Sequence, residues 1–233
     1  MPDPSAPSRR HVLVVADGDV DVRADLDASW PGWSDGAAAV VAADGGYARA
    51  VALGLVPDVL VGDLDSLAAD LVAEAEAAGT TVRRFPPDKD ESDTELALLE
   101  AVRLGAARVT VLGAFGGPRF DHALANLWLL SHPALAGVDL RLLAAGVRIR
   151  LLAAPAPAGG PVTLALPGRL GAIVSLLPFG GDAIGVTTSG LQYALRDEPL
   201  QSGPARGLSN VRVAGDAEVM LREGRLLVVE RPA

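Results

Sequence analysis

Three short acidic motifs fall between Asp44 and Glu95: Asp44-Gly45-Gly46, Gly62-Asp63-Leu64-Asp65-Ser66, and Lys89-Asp90-Glu91-Ser92-Asp93-Thr94-Glu95. Each stands where an apolar, β-prone run gives way to a turn or helix, the layout of a site for magnesium and a polyphosphate. If Val59 to Val61 is a strand, alternation along its pleat sends Asp63 and Asp65 out of its end on the same side. Two carboxylates about 7 Å apart raise each other's pKa unless a cation lies between them. Magnesium suits that place, because it takes one or two protein carboxylates, keeps several waters and completes its shell with substrate phosphates. The plainer alternative is that aspartates punctuate turns after strands.

A polyphosphate also needs fixed cations and close-approaching amides. The local cations are Lys89 and Arg119. Arg119 lies in the loop Gly113-Ala114-Phe115-Gly116-Gly117-Pro118-Arg119-Phe120-Asp121-His122, where its guanidinium could bridge phosphate oxygens in a bidentate way. Glycine pairs let backbone amides approach phosphate, and a following helix adds partial positive charge. Each feature alone has a bland equivalent: a tight turn for the glycines, a surface salt bridge for Arg119, a first-turn position for His122. Together they fall beyond the carboxyl ends of successive strands, where open parallel sheets gather ligands.

The elements that must position these residues follow from periodicity. Strands are expected at Val12 to Ala16, Ala39 to Ala43, Val59 to Val61, Thr81 to Phe85, Arg108 to Leu112 and Asp139 to Leu143. Helices are expected at Tyr47 to Leu53, Leu67 to Ala78, Asp93 to Leu104 and Asp121 to Leu130, the third opened by a Ser92/Glu95 capping box. Trp128 follows Leu124 by four residues and is read as core. The alternation makes residues 11–145 an α/β domain with a mostly parallel sheet and crossover helices.

From residue 146 to 233 the texture changes to apolar strands separated by Pro and Gly, which predicts an antiparallel β-sandwich or jelly-roll-like domain. Its strands are expected at Val147 to Leu152, Val162 to Leu166, Ile173 to Leu177, Ala183 to Thr187, Asn210 to Val213, Glu218 to Leu221 and Leu226 to Val229. Arg222-Glu223-Gly224-Arg225 reads as a hairpin turn joining the last two, and Ala153 to Pro161 as a loose loop.

Composition narrows the partners. Lys and Arg number 20 against 29 Asp and Glu, a formal net charge of -9, and no basic stripe interrupts it. Nucleic acid and anionic membrane are therefore excluded as expected partners. An anionic nucleotide remains compatible if metal and local cations reverse the field in its cleft. The chain has no cysteine, which rules out thiolate catalysis and disulfides and fits a reducing compartment. Ser8-Arg9-Arg10 is followed by too short an apolar run for an export signal, and no stretch approaches the ~18 apolar residues of a span. Residues 1–10 are expected to be a disordered tail, and the protein soluble and cytoplasmic.

The ordered motifs Asp44-Gly45-Gly46, Gly62 to Ser66, Lys89-Asp90 with Asp93 and Glu95, and Gly116 to His122 resemble the thiamine pyrophosphokinase family. Gly190-Leu191-Gln192-Tyr193 and Gly207-Leu208-Ser209-Asn210 are similar to its vitamin-binding segment. The resemblance implies transfer of diphosphate from ATP to thiamine, giving thiamine diphosphate and AMP. It implies Mg2+ on Asp63, Asp65 and Asp93 with Asp90 beside them, and Arg119 acting in transfer. Asp44, Gly45, Gly46, Lys89, Arg119, Asp121 and His122 would line the nucleotide, and Ser209 and Asn210 would contact thiamine. The family's composite sites imply a homodimer. Three departures stand out: Pro118 is an extra loop residue, Ser92 replaces a usual threonine, and no aromatic closely follows Asn210, leaving Phe179 or Tyr193 as the candidate ring. Readings kept beside this one are a pyrophosphokinase for another hydroxymethyl compound, such as a pterin alcohol, and a non-catalytic nucleotide and metal sensor.

Overall fold

The computed structural model describes residues 10–154 and 159–233. The expected tail lies outside the described residues up to position 9, whereas Arg10 already belongs to a strand. Residues 155–158 of the Ala153 to Pro161 stretch also lie outside them. The chain divides into two compact units, one ending at Ala145 and the other beginning at Gly146.

The first unit alternates β1 (Arg10–Val15), α1 (Arg23–Ser29), β2 (Ala37–Ala43), α2 (Gly46–Ala52), β3 (Val59–Gly62), α3 (Ala69–Ala77), β4 (Thr81–Arg84), α4 (Asp93–Arg103), β5 (Ala106–Leu112), α5 (Phe120–Leu129) and β6 (Asp139–Ala144). The strands pair in the order β6-β5-β1-β2-β3-β4, every pairing parallel. Apolar runs such as Val12 to Val15 are fully buried, as expected where helices cover both faces of a parallel sheet. The order reverses between β1 and β5, so the loops after these two strands part and leave a crevice there. Helix α4 packs against β1, β2, β3 and β5 and buries Leu96, Ala97, Leu98 and Ala101.

Two details differ from expectation in this unit. Helix α1 went unforeseen because it buries only Leu26, too little for a periodic signal. Trp128 is 59% exposed, not core. Helix α5 buries Asn126 and Leu129, and the stripe Phe120, Leu124 and Trp128 lies on its solvent side. The spacing of Leu124 and Trp128 identifies a shared face but not which face is covered.

The second unit contains β7 (Val147–Ala154), β8 (Val162–Ala165), β9 (Ile173–Pro178), β10 (Ala183–Ser189), β11 (Glu198–Leu200), β12 (Asn210–Val211), β13 (Glu218–Leu221) and β14 (Gly224–Arg231). Two antiparallel layers, β12-β9-β14-β7 and β11-β10-β13-β8, enclose a core that includes Leu152, Leu176, Val186, Val219 and Leu226. The expected hairpin between the last two strands does not form. Strand β13 pairs with β8 and β10, while β14 pairs with β7 and β9, so residues 222 and 223 carry the chain from one layer to the other. Gly224 permits the crossing, with φ +91 and only 2.5 Å between an added Cβ and the Asp182 carbonyl oxygen.

A buried charge cluster ties the β7 layer together. Glu230, 1% exposed, lies opposite Arg148 in the β7–β14 ladder. Its oxygens accept from Arg148 at 2.8 and 2.9 Å, from Arg150 at 2.9 Å and from Arg212 at 3.3 Å. Burial pushes the Glu230 carboxyl up, but Arg148 and Arg150 outweigh it and hold the pKa below the usual glutamate range.

Candidate active site

At the carboxyl edge of the parallel sheet, three acidic side chains from separate segments converge. Asp44 follows β2, Asp63 follows β3 and Asp93 opens α4, and each offers an oxygen within 4.8 Å of the others. Gly62 makes the approach possible. An added Cβ there would stand 3.1 Å from the Asp44 Cβ and 3.3 Å from Asp93 Oδ1. Asp93 is set by the start of α4, where Ser92 Oγ accepts the Glu95 amide at 3.2 Å. The Glu95 carboxylate meets His132 at 3.3 Å.

Asp44 is 6% exposed and adopts φ 46, a left-handed conformation that aspartate tolerates better than most residues. Its Oδ1 is buried without a hydrogen-bond partner. Burial raises its pKa most, and the charges of Asp93, Asp63 and Asp65 add to the rise against a hydrogen bond with Ser66. A buried carboxylate with a free oxygen, facing two more carboxylates, suits a hard divalent cation. Lys89 lies in the same group, its Nζ 3.0 Å from Asp93 Oδ1 and 3.3 Å from Asp63 Oδ2. The Asp63 carboxyl is held below the usual range, first by the Asp65 amide and then, against burial, by Lys89.

The expected residues do not all meet. Asp65 is exposed, and its carboxylate accepts the Ser66 hydroxyl at 3.2 Å outside the convergent set. The pleat argument fails there because β3 ends at Gly62 and Leu64 takes φ 64, which turns the chain. Asp90 is exposed. Gly45 and Gly46 serve packing in this structure: an added Cβ would lie 2.3 Å from Asp17 Oδ1 at Gly45 and 2.0 Å from the Val15 carbonyl oxygen at Gly46. Arg119, Asp121 and His122 are exposed where the β5 loop meets α5. Arg119 there makes a bidentate pair with Asp121 at 2.7 and 3.0 Å, which lowers the Asp121 pKa to about 2.

Sequence reading missed Asp17 and Asp19, on the loop after β1. Asp19 Oδ2 accepts the Gly117 amide at 3.3 Å, and the Asp19 amide donates to the Phe115 carbonyl at 2.7 Å, so the two loops flanking the crevice are zipped together. Asp17-Gly18-Asp19 after an apolar strand is the same local signal as the three motifs that were recognised.

In the second unit, a cleft of about 290 Å³ is lined by Tyr193, Leu195, Arg206, Gly207, Leu208 and Asn210, among others. The Asn210 amide is spent on the backbone of Tyr193, with Nδ2 donating to its carbonyl at 2.7 Å and Oδ1 accepting its N–H at 3.0 Å. Ser209 takes φ 58, and its amide donates to Ser175 Oγ at 3.0 Å. Tyr193 is 63% exposed beside this cleft, whereas Phe179 is buried beneath the Arg225 guanidinium, 5.6 Å from its ring centre. Of the two candidate rings, Tyr193 is the one that lines a cleft.

Convergent carboxylates at the carboxyl edge of a parallel α/β sheet form a place where a metal-bound polyphosphate can sit. Residues 33–142 match the family described as thiamin pyrophosphokinase, catalytic domain, and residues 162–226 match thiamin pyrophosphokinase, vitamin B1 binding domain. The chain belongs to the thiamine pyrophosphokinase family. Thiamine pyrophosphokinase of Bacillus subtilis is 24% identical over 218 residues, 94% of this chain and 97% of the relative. The crystal structure of the Bacillus subtilis protein superposes with a TM-score of 0.80 at 23% identity, covering 96% of this chain and 99% of that one. That of the Geobacillus thermodenitrificans protein gives 0.76 at 26% identity, covering 96% and 98%. No helix among the described residues is long and apolar enough to cross a membrane.

Proposed function

We propose that this protein transfers the terminal diphosphate of ATP to thiamine. The thiamine hydroxyl oxygen bonds to the β-phosphorus while the bond from that phosphorus to the α,β-bridging oxygen breaks. The products are thiamine diphosphate, AMP and the hydroxyl proton. The observation that carries this reading is the convergence of Asp44, Asp63 and Asp93 in a chain whose two halves both match the family. The match over residues 162–226 favours thiamine over a pterin alcohol and transfer over sensing.

Asp44, Asp63 and Asp93 would hold magnesium, which when bound neutralises charge on the triphosphate. Asp65, with Asp90, stands at the outer edge, its amide supporting Asp63. Arg119 leaves Asp121 to meet phosphate oxygens, while Asp121 and His122 border the nucleotide. Gly45 and Gly46 let α2 lie close against β1 and so fix Asp44. Asp93, as a magnesium ligand, would not be free to act as a base, whereas Asp121 becomes free once Arg119 turns to phosphate. A loose transition state asks little of one. Ser209 and Asn210 shape the thiamine cleft, Asn210 through Tyr193.

Incubation with ATP, magnesium and thiamine should release AMP, detected by chromatography, and Asp63→Asn should abolish that release without changing the circular dichroism. AMP formation that does not depend on thiamine would overturn the assignment. A homodimer is the proposed working unit on the strength of the family resemblance, and a fully active monomer in sedimentation equilibrium would contradict it. The proposed compartment is the cytoplasm.

A further inference from the structure

We infer that Lys89 occupies the cation seat of the Asp44, Asp63 and Asp93 group in the nucleotide-free protein. A divalent ion settles there only as the ammonium moves out to the phosphates of an incoming nucleotide, so metal and nucleotide bind cooperatively through this one side chain. The inference rests on reading the three carboxylates as a metal site, and it assigns Lys89 a role beyond lining the nucleotide.

The geometry is that of one seat with two claimants. One oxygen of each carboxylate lies within 4.8 Å of the others, so a small inward movement lets one ion take all three. The Lys89 Nζ already lies 3.0 Å from one of these side chains and 3.3 Å from another, with its own side chain only 9% exposed. An ion bound by the same carboxylates would share two of its three side chains with the ammonium, with like charge. The ammonium serves the seat incompletely, since Asp44 Oδ1 remains without a partner. Three carboxylates against one lysine leave a local excess of negative charge, which draws a divalent ion but does not by itself release the lysine. The flexible four-carbon stem gives the ammonium somewhere to go, provided another anion receives it. A triphosphate is such an anion. The consequence is a coupling free energy between two ligands, reciprocal by linkage.

The test is Mn2+ binding, read from the electron paramagnetic resonance of the free ion, in wild type, Lys89→Met, Lys89→Gln and Lys89→Arg. Without nucleotide, the Met and Gln proteins should bind Mn2+ about tenfold more tightly than wild type, within the ordinary range of site couplings. They should also lose most of the tightening that a non-hydrolysable ATP analogue confers on wild type. The Arg protein should stay as weak as wild type without nucleotide. Two neutral variants are used so that failure of one to fold leaves the other to decide. In the wild type, the Lys89 Nζ resonance should shift only when Mg2+ and the analogue are both present, which gives a reading free of any variant. Wild-type or weaker Mn2+ affinity in the folded neutral variants would overturn the exchange while leaving the metal site standing. Failure of all four proteins to bind Mn2+, with or without the analogue, would remove the metal site itself.

Discussion

Asn210 clasps Tyr193 by both polar ends of that residue's backbone, donating to its carbonyl at 2.7 Å and accepting from its amide at 3.0 Å. The same Oδ1 also accepts the Val211 amide at 2.9 Å. Each of these three part-buried hydrogen bonds contributes about 1 kcal/mol, so Asn210→Ala should lower stability by roughly 3 kcal/mol in urea denaturation. It should also raise the KM for thiamine while leaving that for ATP unchanged. Tyr193→Ala should reproduce the KM effect with little loss of stability, and Tyr193→Phe should be near wild type. Equal KM changes for both substrates would contradict this division.

Asp44 and Asp65 should separate cleanly. Ionised Asp44 is disfavoured by burial and by its acidic neighbours, so Asp44→Asn should raise the melting temperature of the metal-free protein. The same change should cut turnover on the order of 10²-fold or more. Asp65→Asn, at an exposed position outside the convergent set, should cost less turnover than Asp63→Asn and leave the melting temperature unchanged. Calorimetry beside the AMP assay reads both quantities.

Arg119 is paired with Asp121 on the exposed loop after β5. Arg119→Lys keeps the charge but loses the planar fork, and turnover should fall about 10²-fold with a smaller change in the KM for ATP. Asp121→Asn should have the milder effect, because it frees the guanidinium without removing it. A lysine variant with wild-type kcat would exclude the bidentate role.

Glu230 sets an acid limit on the second unit. Its pKa in the folded protein lies below that of the unfolded chain, so its contribution is fully present above the ordinary glutamate value of 4.5 and disappears as pH falls through the folded value. Urea midpoints should therefore drop as pH is lowered from about 5 to about 3. Glu230→Gln should flatten that slope and cost about 3–5 kcal/mol at pH 7, because three arginines lose their shared partner.

The alternation of strands and helices in the first unit is legible because β-branched runs and Asp/Gly turns are local signals. Convergence is not local. Asp65 looks like the partner of Asp63 until Leu64 adopts φ 64, and the third carboxylate comes instead from Asp44, nineteen residues upstream, just past the end of the neighbouring strand. Strand β11 covers only Glu198–Leu200, too short to show alternation. The supposed hairpin at residues 222–225 shows the same limit, because a turn sequence states that the chain bends but not which layer it enters. The sequence resemblance places Asn210 within the vitamin-binding segment as a thiamine contact, but its clasp on Tyr193 is not legible there, since its bonds run to a residue seventeen positions away.

Strand β14 lies between β7 and β9, in the interior of its layer. The β-sandwich therefore cannot close while residues 224–231 are still being synthesised, whereas the six strands of the first unit are complete by Ala144. During translation the α/β half can settle first, and its neighbour must wait with Arg148 and Arg150 lacking their carboxylate.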